Sequence, residues 1–182
     1  MLTEILQQIN KKKVWKGACY FLVIVVTLMI QNLLMPHLTI LKVRPLIIPA
    51  AAVAVGMFEG GTYGAVFGLF LGFFADMSFA ENTVLFLVIM ALLGFTAGFA
   101  ADFILNRTFL PFMAAVFAGL LFTAVIQMIR PFIVGSGAGR VILTGLLQTV
   151  WSLPFAALYY PVIRAISRHF DGPSERKDRD HI

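Results

Sequence analysis

The chain has 182 residues, of which 60% are hydrophobic and 13% are charged, and its net charge is +5. A soluble domain of this size has too little interior to bury so much apolar side chain. The composition excludes a soluble globular enzyme, a disordered protein and a disulfide-rich secreted protein, and it predicts an all-α integral membrane protein in contact with the lipid bilayer. The basic residues form no stripe interleaved with aromatic residues, so we expect no nucleic-acid partner.

Residues 1–16 form the first predicted element. Leu2, Ile5, Leu6 and Ile9 recur at helical spacing, and four lysines follow them. This pattern favours an amphipathic segment that lies on the cytoplasmic surface of the membrane. An extension of the next helix explains the same spacing, and both interpretations stay open.

Six apolar segments follow, and they predict a six-transmembrane-helix bundle over residues 17–166. A spanning helix needs about 20 mostly apolar residues. The second segment is shorter and contains Pro45 and Pro49, so we expect it to be tilted, broken or only partly spanning. Residues 167–182 form a polar cytoplasmic tail. The predicted helices are 17–35, 45–58, 60–76, 83–105, 109–133 and 141–166.

The distribution of lysine and arginine predicts the orientation of these spans. Nine of the 14 basic residues lie in the two tails or, like Arg164, at the end of the last predicted helix, and an excess of basic residues marks the cytoplasmic side of a membrane. Six spans place both tails on that side, whereas five spans would separate them. We therefore expect a multi-pass protein with both termini in the cytoplasm.

Glycine recurs every four residues in the third predicted helix, and the fourth helix repeats the spacing. Residues four apart lie on one helix face, and a face reduced to backbone lets another helix approach closely within a membrane. Two interpretations stay open: the glycines form the core of the bundle, or at least one stripe docks a partner helix. The glycines are Gly60, Gly64, Gly68, Gly72, Gly94 and Gly98.

Asp76 ends the third helix and Asp102 ends the fourth. Ionisable side chains are costly in a membrane unless they are paired, and the leading intramolecular partner of Asp76 is Arg130. The predicted topology gathers a polar cluster in the outer half of the bundle, which would serve as a ligand pocket, a partner surface or a structural element. Glu59 is expected to be a solvated loop residue. The members of the cluster are Gln31, Asn32, Asp76, Gln127 and Arg130.

No arrangement of residues typical of catalysis occurs in the sequence. The three histidines lie in a loop or near the C-terminal tail, and no pair has metal-ligand spacing on a helix. The single cysteine, Cys19, has no histidine near it, and no Gly-x-Ser-x-Gly nucleophile elbow is present. We therefore expect no enzymatic activity, no metal and no cofactor.

The third predicted helix carries a family resemblance. The segments Gly61-Thr62-Tyr63-Gly64 and Gly68-Leu69-Phe70-Leu71-Gly72-Phe73-Phe74-Ala75-Asp76 resemble the Gly-rich third span of the rod shape-determining protein MreD family, which closes in an aspartate. The match covers roughly residues 56–80, and the chain length and the six predicted spans agree with it. One departure is Glu81-Asn82-Thr83-Val84, where the family often has a glycine.

The resemblance implies a non-enzymatic membrane scaffold of the bacterial cell-elongation (rod) complex in the cytoplasmic membrane. The partners that it implies are an MreC-like bitopic membrane protein, the MreB cytoskeleton and the peptidoglycan synthases. The alternative is the substrate-binding S component of an energy-coupling-factor vitamin transporter, a class of similar size that is thought to share the six-helix fold. In that alternative, Ala50 and Ala54 would form the small-residue face that docks the coupling subunit.

Overall fold

The computed structural model describes residues 2–38, 43–78, 85–103, 108–133 and 138–170. Within these residues the fold is all-α and contains no strand. The first helix continues into a π-helical turn, Ile30–Leu34. The helices are α1 (Leu2–Met29), α2 (Ile48–Glu59), α3 (Gly61–Ser78), α4 (Leu85–Phe103), α5 (Phe109–Ile133), α6 (Ala138–Ala157) and α7 (Tyr159–Phe170).

The described helices include several that are suited to a membrane. Large apolar side chains such as Phe99, Leu110 and Ile133 are exposed on the outside of the bundle, which suits a protein surrounded by lipid. The protein is therefore a helical membrane protein, as its composition predicts. The segments that are long and apolar enough to cross a membrane are Val14–Leu34, Phe86–Phe103, Phe109–Ile133 and Gly139–Phe170.

The first helix starts earlier than the predicted span. α1 begins at Leu2, so residues 2–16 are helical and continuous with the predicted span. After Met29 the helix widens, and the Met35 N–H donates to the Ile30 carbonyl over 3.1 Å. Such a bond to the fifth residue back defines a π turn, and it ends the helix close to the predicted boundary.

Helix α2 lies at the centre of the bundle. All of its residues from Ile48 to Phe58 are buried, and it packs against α3, α4, α5 and α7. A helix that is apolar on every side is typically enclosed by other helices. Its 12 residues give a length of about 18 Å, which is little more than half of the hydrocarbon thickness. The non-helical residues Val43–Ile47 lead into it.

The last predicted helix, 141–166, is divided into two. α6 ends at Ala157 and α7 begins at Tyr159, with Leu158 in a turn between them. Pro154 and Pro161 have no N–H to donate to the carbonyl four residues earlier. The bond lost at Pro154 lies within α6, which continues to Ala157, whereas the bond lost at Pro161, to the Ala157 carbonyl, would span Leu158 and explains the break there.

Candidate functional site: helix contacts and buried polar side chains

Helices α3 and α4 touch through their backbones. A Cβ atom placed on Gly64 would overlap the backbone of Gly94 in α4 and of Gly56 in α2. A Cβ atom on Gly68 would overlap the carbonyl group of Met90. Only glycine leaves room for backbones at this separation, because every other residue carries a Cβ atom.

The close contact continues towards both ends of α3. Gly72 lies against Leu87, and Gly98 lies against Gly61. Both predicted glycine stripes are thus covered within the chain, and neither is open to a partner helix. We call this contact the glycine interface, and its members are Gly56, Gly64, Gly68, Gly72, Gly94 and Gly98.

Gly60 has a different role from the one that its spacing predicts. It lies in the turn between α2 and α3 and has a φ of 97°, a backbone conformation that favours glycine. This turn brings Gly64 back against Gly56. Sequence reasoning missed Gly56, although the same spacing of four residues, extended backwards from Gly60, identifies it.

Asp76 bonds to the beginning of the next helix. Its Oδ1 accepts a hydrogen bond from the Phe86 N–H over 3.2 Å, and its Oδ2 accepts one from the Leu87 N–H over 3.0 Å. The first N–H groups of a helix have no partner within that helix, and its positive end favours a carboxylate. Asp76 therefore supplies from the end of α3 the cap that α4 requires.

The predicted partner of Asp76 is Arg130. The backbone of Arg130 belongs to α5, but its side chain lies outside the described part of the structure. An ion pair between Asp76 and Arg130 therefore stays a prediction. The two hydrogen bonds to α4 give Asp76 partners that sequence spacing alone does not identify, because they are backbone groups.

Gln31 satisfies the backbone of the non-helical segment before α2. Its Nε2 donates to the Pro45 carbonyl over 3.0 Å, and its Oε1 accepts from the Ile47 N–H over 2.9 Å. Ser152 of α6 accepts from the Leu46 N–H over 2.8 Å. Irregular backbone at membrane depth is tolerated only where the protein satisfies its polar groups. Gln31 and Ser152 make this short central helix possible.

The predicted polar cluster does not come together among the described residues. Asn32, next to Gln31, is exposed, and Gln127 is half-buried. No described hydrogen bond links Gln31 with Asp76, Asn32 or Gln127. Asn32 instead lines an open, mainly apolar groove of about 230 Å³ between α1 and Phe74 of α3. Among the described members, Gln31 and Asp76 thus make separate contacts with backbone groups.

The prediction for Glu59 is wrong. Its side chain is 4% exposed. Its Oε2 forms a 2.6 Å ion pair with Lys16 Nζ, and its Oε1 accepts a 2.6 Å hydrogen bond from the Tyr20 hydroxyl. Glu59 ends α2, where the helix dipole disfavours a negative charge, and Lys16 offsets that cost. Lys16 and Tyr20 are four residues apart on α1, so both reach Glu59 from one face of that helix, but no local sequence signal identifies this contact.

A third contact joins α1 to the other end of the chain. The Tyr159 hydroxyl donates to Thr27 Oγ1 over 2.9 Å, and Thr27 is 1% exposed. Sequence reasoning missed this pair because a single threonine in an apolar run carries no distinctive spacing. Over the part of the chain that the structure describes, no group of three His, Cys, Asp or Glu side chains could hold a metal ion.

The chain was compared with family models, with curated proteins and with solved structures, and nothing matches in any of the three comparisons.

Proposed function

We propose that this protein is a non-enzymatic membrane scaffold of the bacterial cell-elongation complex, similar to MreD. In this role it binds an MreC-like bitopic membrane protein and couples the MreB cytoskeleton to peptidoglycan synthesis. The proposal rests on the resemblance of residues 61–76 to the family's third span, together with the structural part that those residues play.

The observation that carries the proposal is the position of Asp76. The resemblance consists of a glycine-rich helix that ends in an aspartate. The glycines and the aspartate each make a contact of their own in this structure. Gly64 and Gly68 bring α3 against α4, and Asp76 caps α4 at the end of the same contact. The motif therefore builds a closely packed pair of helices, which supports a structural role.

The same proposal includes six spans in the cytoplasmic membrane: α1, α2 with its non-helical approach, α3, α4, α5, and α6 with α7. Lys16 contacts Glu59, and the neighbouring Phe58 ring lies 5.5 Å from the Tyr160 ring. These contacts bring the Lys16 region of α1 and the start of α7 to one end of the bundle. The basic tails support a cytoplasmic location for that end.

The vitamin-transporter alternative has less support. It requires Ala50 and Ala54 on the surface to dock a coupling subunit, yet both are 0% exposed in the centre of the bundle. Gln31, which that alternative would place in a ligand pocket, has both amide atoms bonded to backbone. These contacts favour a protein that acts through its outer surface.

Affinity purification from native membranes, followed by mass spectrometry, tests the proposal. We expect a tagged protein to retain an MreC-like bitopic protein and cell-wall synthases, measured against an untagged strain. Recovery of coupling ATPase subunits together with a vitamin-sized ligand would overturn the scaffold proposal in favour of a transporter.

A further inference from the structure

Helix α7 carries two arginines and no acidic residue. Arg164 and Arg168 are four residues apart, so they lie next to each other on one helix face. The buried face of α7 is formed by Ile163 and Ser167, and this face packs against α2. The arginines therefore lie beside the buried face, where α7 meets its surroundings.

Arg164 is fixed in place while part of its guanidinium group stays available. Its Nη1 donates a 3.0 Å hydrogen bond to the Tyr160 hydroxyl, and the guanidinium carbon lies 5.4 Å from the centre of the Tyr160 ring. The Phe109 and Phe112 rings each lie 5.3 Å from the Tyr160 ring and hold it. A guanidinium group has five N–H donors, and Tyr160 uses one of them.

The structure gives neither arginine a carboxylate partner within residues 2–38, 43–78, 85–103, 108–133 and 138–170. Glu59, at the same end of the bundle, is already paired with Lys16. Arg168 is exposed, and the apolar residues three positions away on the same helix face, Pro161 beside Arg164 and Ala165 beside Arg168, are exposed as well. Two cations thus lie next to an apolar surface at a helix end, where lipid headgroups meet a membrane protein.

We propose that Arg164 and Arg168 bind the phosphodiester of an anionic phospholipid in the leaflet at this end of the bundle. Guanidinium groups bind phosphate oxygens through paired hydrogen bonds, and basic residues next to a membrane attract anionic lipids. The adjoining apolar surface of α7 accommodates the acyl chains of the same lipid. A free phosphate ion would match the arginines alone and make no use of that surface. This inference does not depend on the scaffold function.

Thermal unfolding of the full chain in nanodiscs tests the site. One set of nanodiscs contains phosphatidylcholine alone, and the other contains phosphatidylcholine with phosphatidylglycerol. We expect the midpoint of the wild type to be higher with phosphatidylglycerol, by about 2–4 °C for each arginine that binds. Arg164→Gln and Arg168→Gln should each reduce the rise in the midpoint by that amount. Arg140→Gln removes an exposed arginine at the start of α6 and should keep the full rise.

Every outcome of this unfolding experiment either supports or overturns the proposed lipid site. Arg168 makes no described contact within the protein, so Arg168→Gln remains informative even if Arg164→Gln does not fold. Equal midpoints in the two lipids would overturn the proposal. An equal loss for Arg140→Gln would overturn it too, because that result means unspecific attraction. The same rise from inorganic phosphate in phosphatidylcholine nanodiscs would also overturn it, because the site would then take a free anion.

Discussion

Helix α3 meets its neighbour α4 through backbone atoms, whereas helix α1 meets the bundle through side chains, in separate polar contacts and in apolar contacts such as those of Val23 and Ile24. The glycines of α3 leave no space for a Cβ atom against Gly94 or Met90. On α1, most large apolar side chains are exposed, among them Phe21 at 55% and Leu22 at 62%. Lys16 and Thr27 on α1, and Gln31 on the π-helical turn that follows it, make polar bonds at three levels.

The difference shows two ways to attach a helix where lipid surrounds the protein. Lipid is as apolar as leucine, so burying apolar side chains between helices gains little, and association depends on close packing or on hydrogen bonds. The glycine interface uses close packing over about three turns of α3. Helix α1 uses a few strong polar contacts. Substitutions should therefore act through volume in the first region and through lost partners in the second.

The largest effect is expected from Gly68→Leu in the glycine interface. The new side chain would have to displace the backbone of Met90, and backbone cannot change rotamer. Overpacking typically costs about 1–3 kcal/mol, and we expect the upper end or loss of the folded protein. The measurement is the monodisperse fraction after extraction from the membrane.

Two control variants sharpen this prediction. Phe70→Leu changes a side chain on α3 that is 55% exposed, and Gly17→Ala adds a Cβ atom where no atom lies within 4 Å. Both should leave the extracted fraction unchanged. If Phe70→Leu reduces it as much as Gly68→Leu does, the glycine face has no special part in the packing.

The second-largest loss of stability is expected from Lys16→Met on α1. This change leaves the buried carboxylate of Glu59 without its cation, and breaking a buried ion pair from one side costs about 3 kcal/mol. Glu59→Gln should cost less, because Lys16 is 24% exposed and its ammonium group can reach water. Thermal unfolding in nanodiscs measures both.

The double variant Lys16→Met with Glu59→Gln tests whether the two residues act as a pair. We expect it to unfold at a higher temperature than Lys16→Met alone, because no unpaired charge remains. Losses that simply add would mean that α1 is not held by this pair.

Neighbouring substitutions at Gln31 and Asn32 should differ in effect. Gln31→Leu removes the partners of the Pro45 carbonyl and the Ile47 N–H, and we expect a loss of about 2 kcal/mol from these buried backbone groups. Asn32→Leu changes an exposed side chain and should be tolerated. Equal midpoints of unfolding for the two variants would contradict the role assigned to Gln31.

The smallest effect is expected at Asp76. Asp76→Ala removes the cap of α4 and should cost about 1 kcal/mol, while Asp76→Asn keeps one acceptor and should cost less. Ser78→Ala is the matched control, since the Ser78 hydroxyl bonds only the Phe74 carbonyl of its own helix. A loss for Ser78→Ala as large as that for Asp76→Ala would contradict the cap.

The predicted pair with Arg130 can be tested in the same series. If Asp76 and Arg130 interact, Arg130→Gln should also destabilise the protein, and the double variant should be no worse than the poorer single variant. Strictly additive losses would mean that the two side chains never meet, and would leave α4 as the partner of Asp76.

The sequence predicts the features that depend on regular spacing. The apolar helices follow from runs of apolar residues, whereas the glycines of α3 and α4 and the position of Asp76 near the end of α3 follow from a period of four residues. The break at Leu158 was not predicted, since residues 141–166 were expected to form one helix, although Pro161 removes the hydrogen bond that would span Leu158.

Contacts between distant segments could not be predicted in this way. Glu59 was expected to be solvated because its partner Lys16 is 43 residues earlier, and nothing in the local pattern joins them. The partners of Gln31 are backbone groups of the non-helical segment before α2. They need a side-chain partner only because α2 is short and central. Ala50 and Ala54 were candidates for a docking face, but spacing cannot tell a surface from a core that is apolar on all sides.

The shape of cells depleted of this protein tests the scaffold function most directly. If the protein organises the cell-elongation complex, depletion in a rod-shaped host should make the cells lose their rod form and become round, and restored expression should reverse the change. Normal rods whose growth depends on an added vitamin would contradict the scaffold function and indicate a transporter.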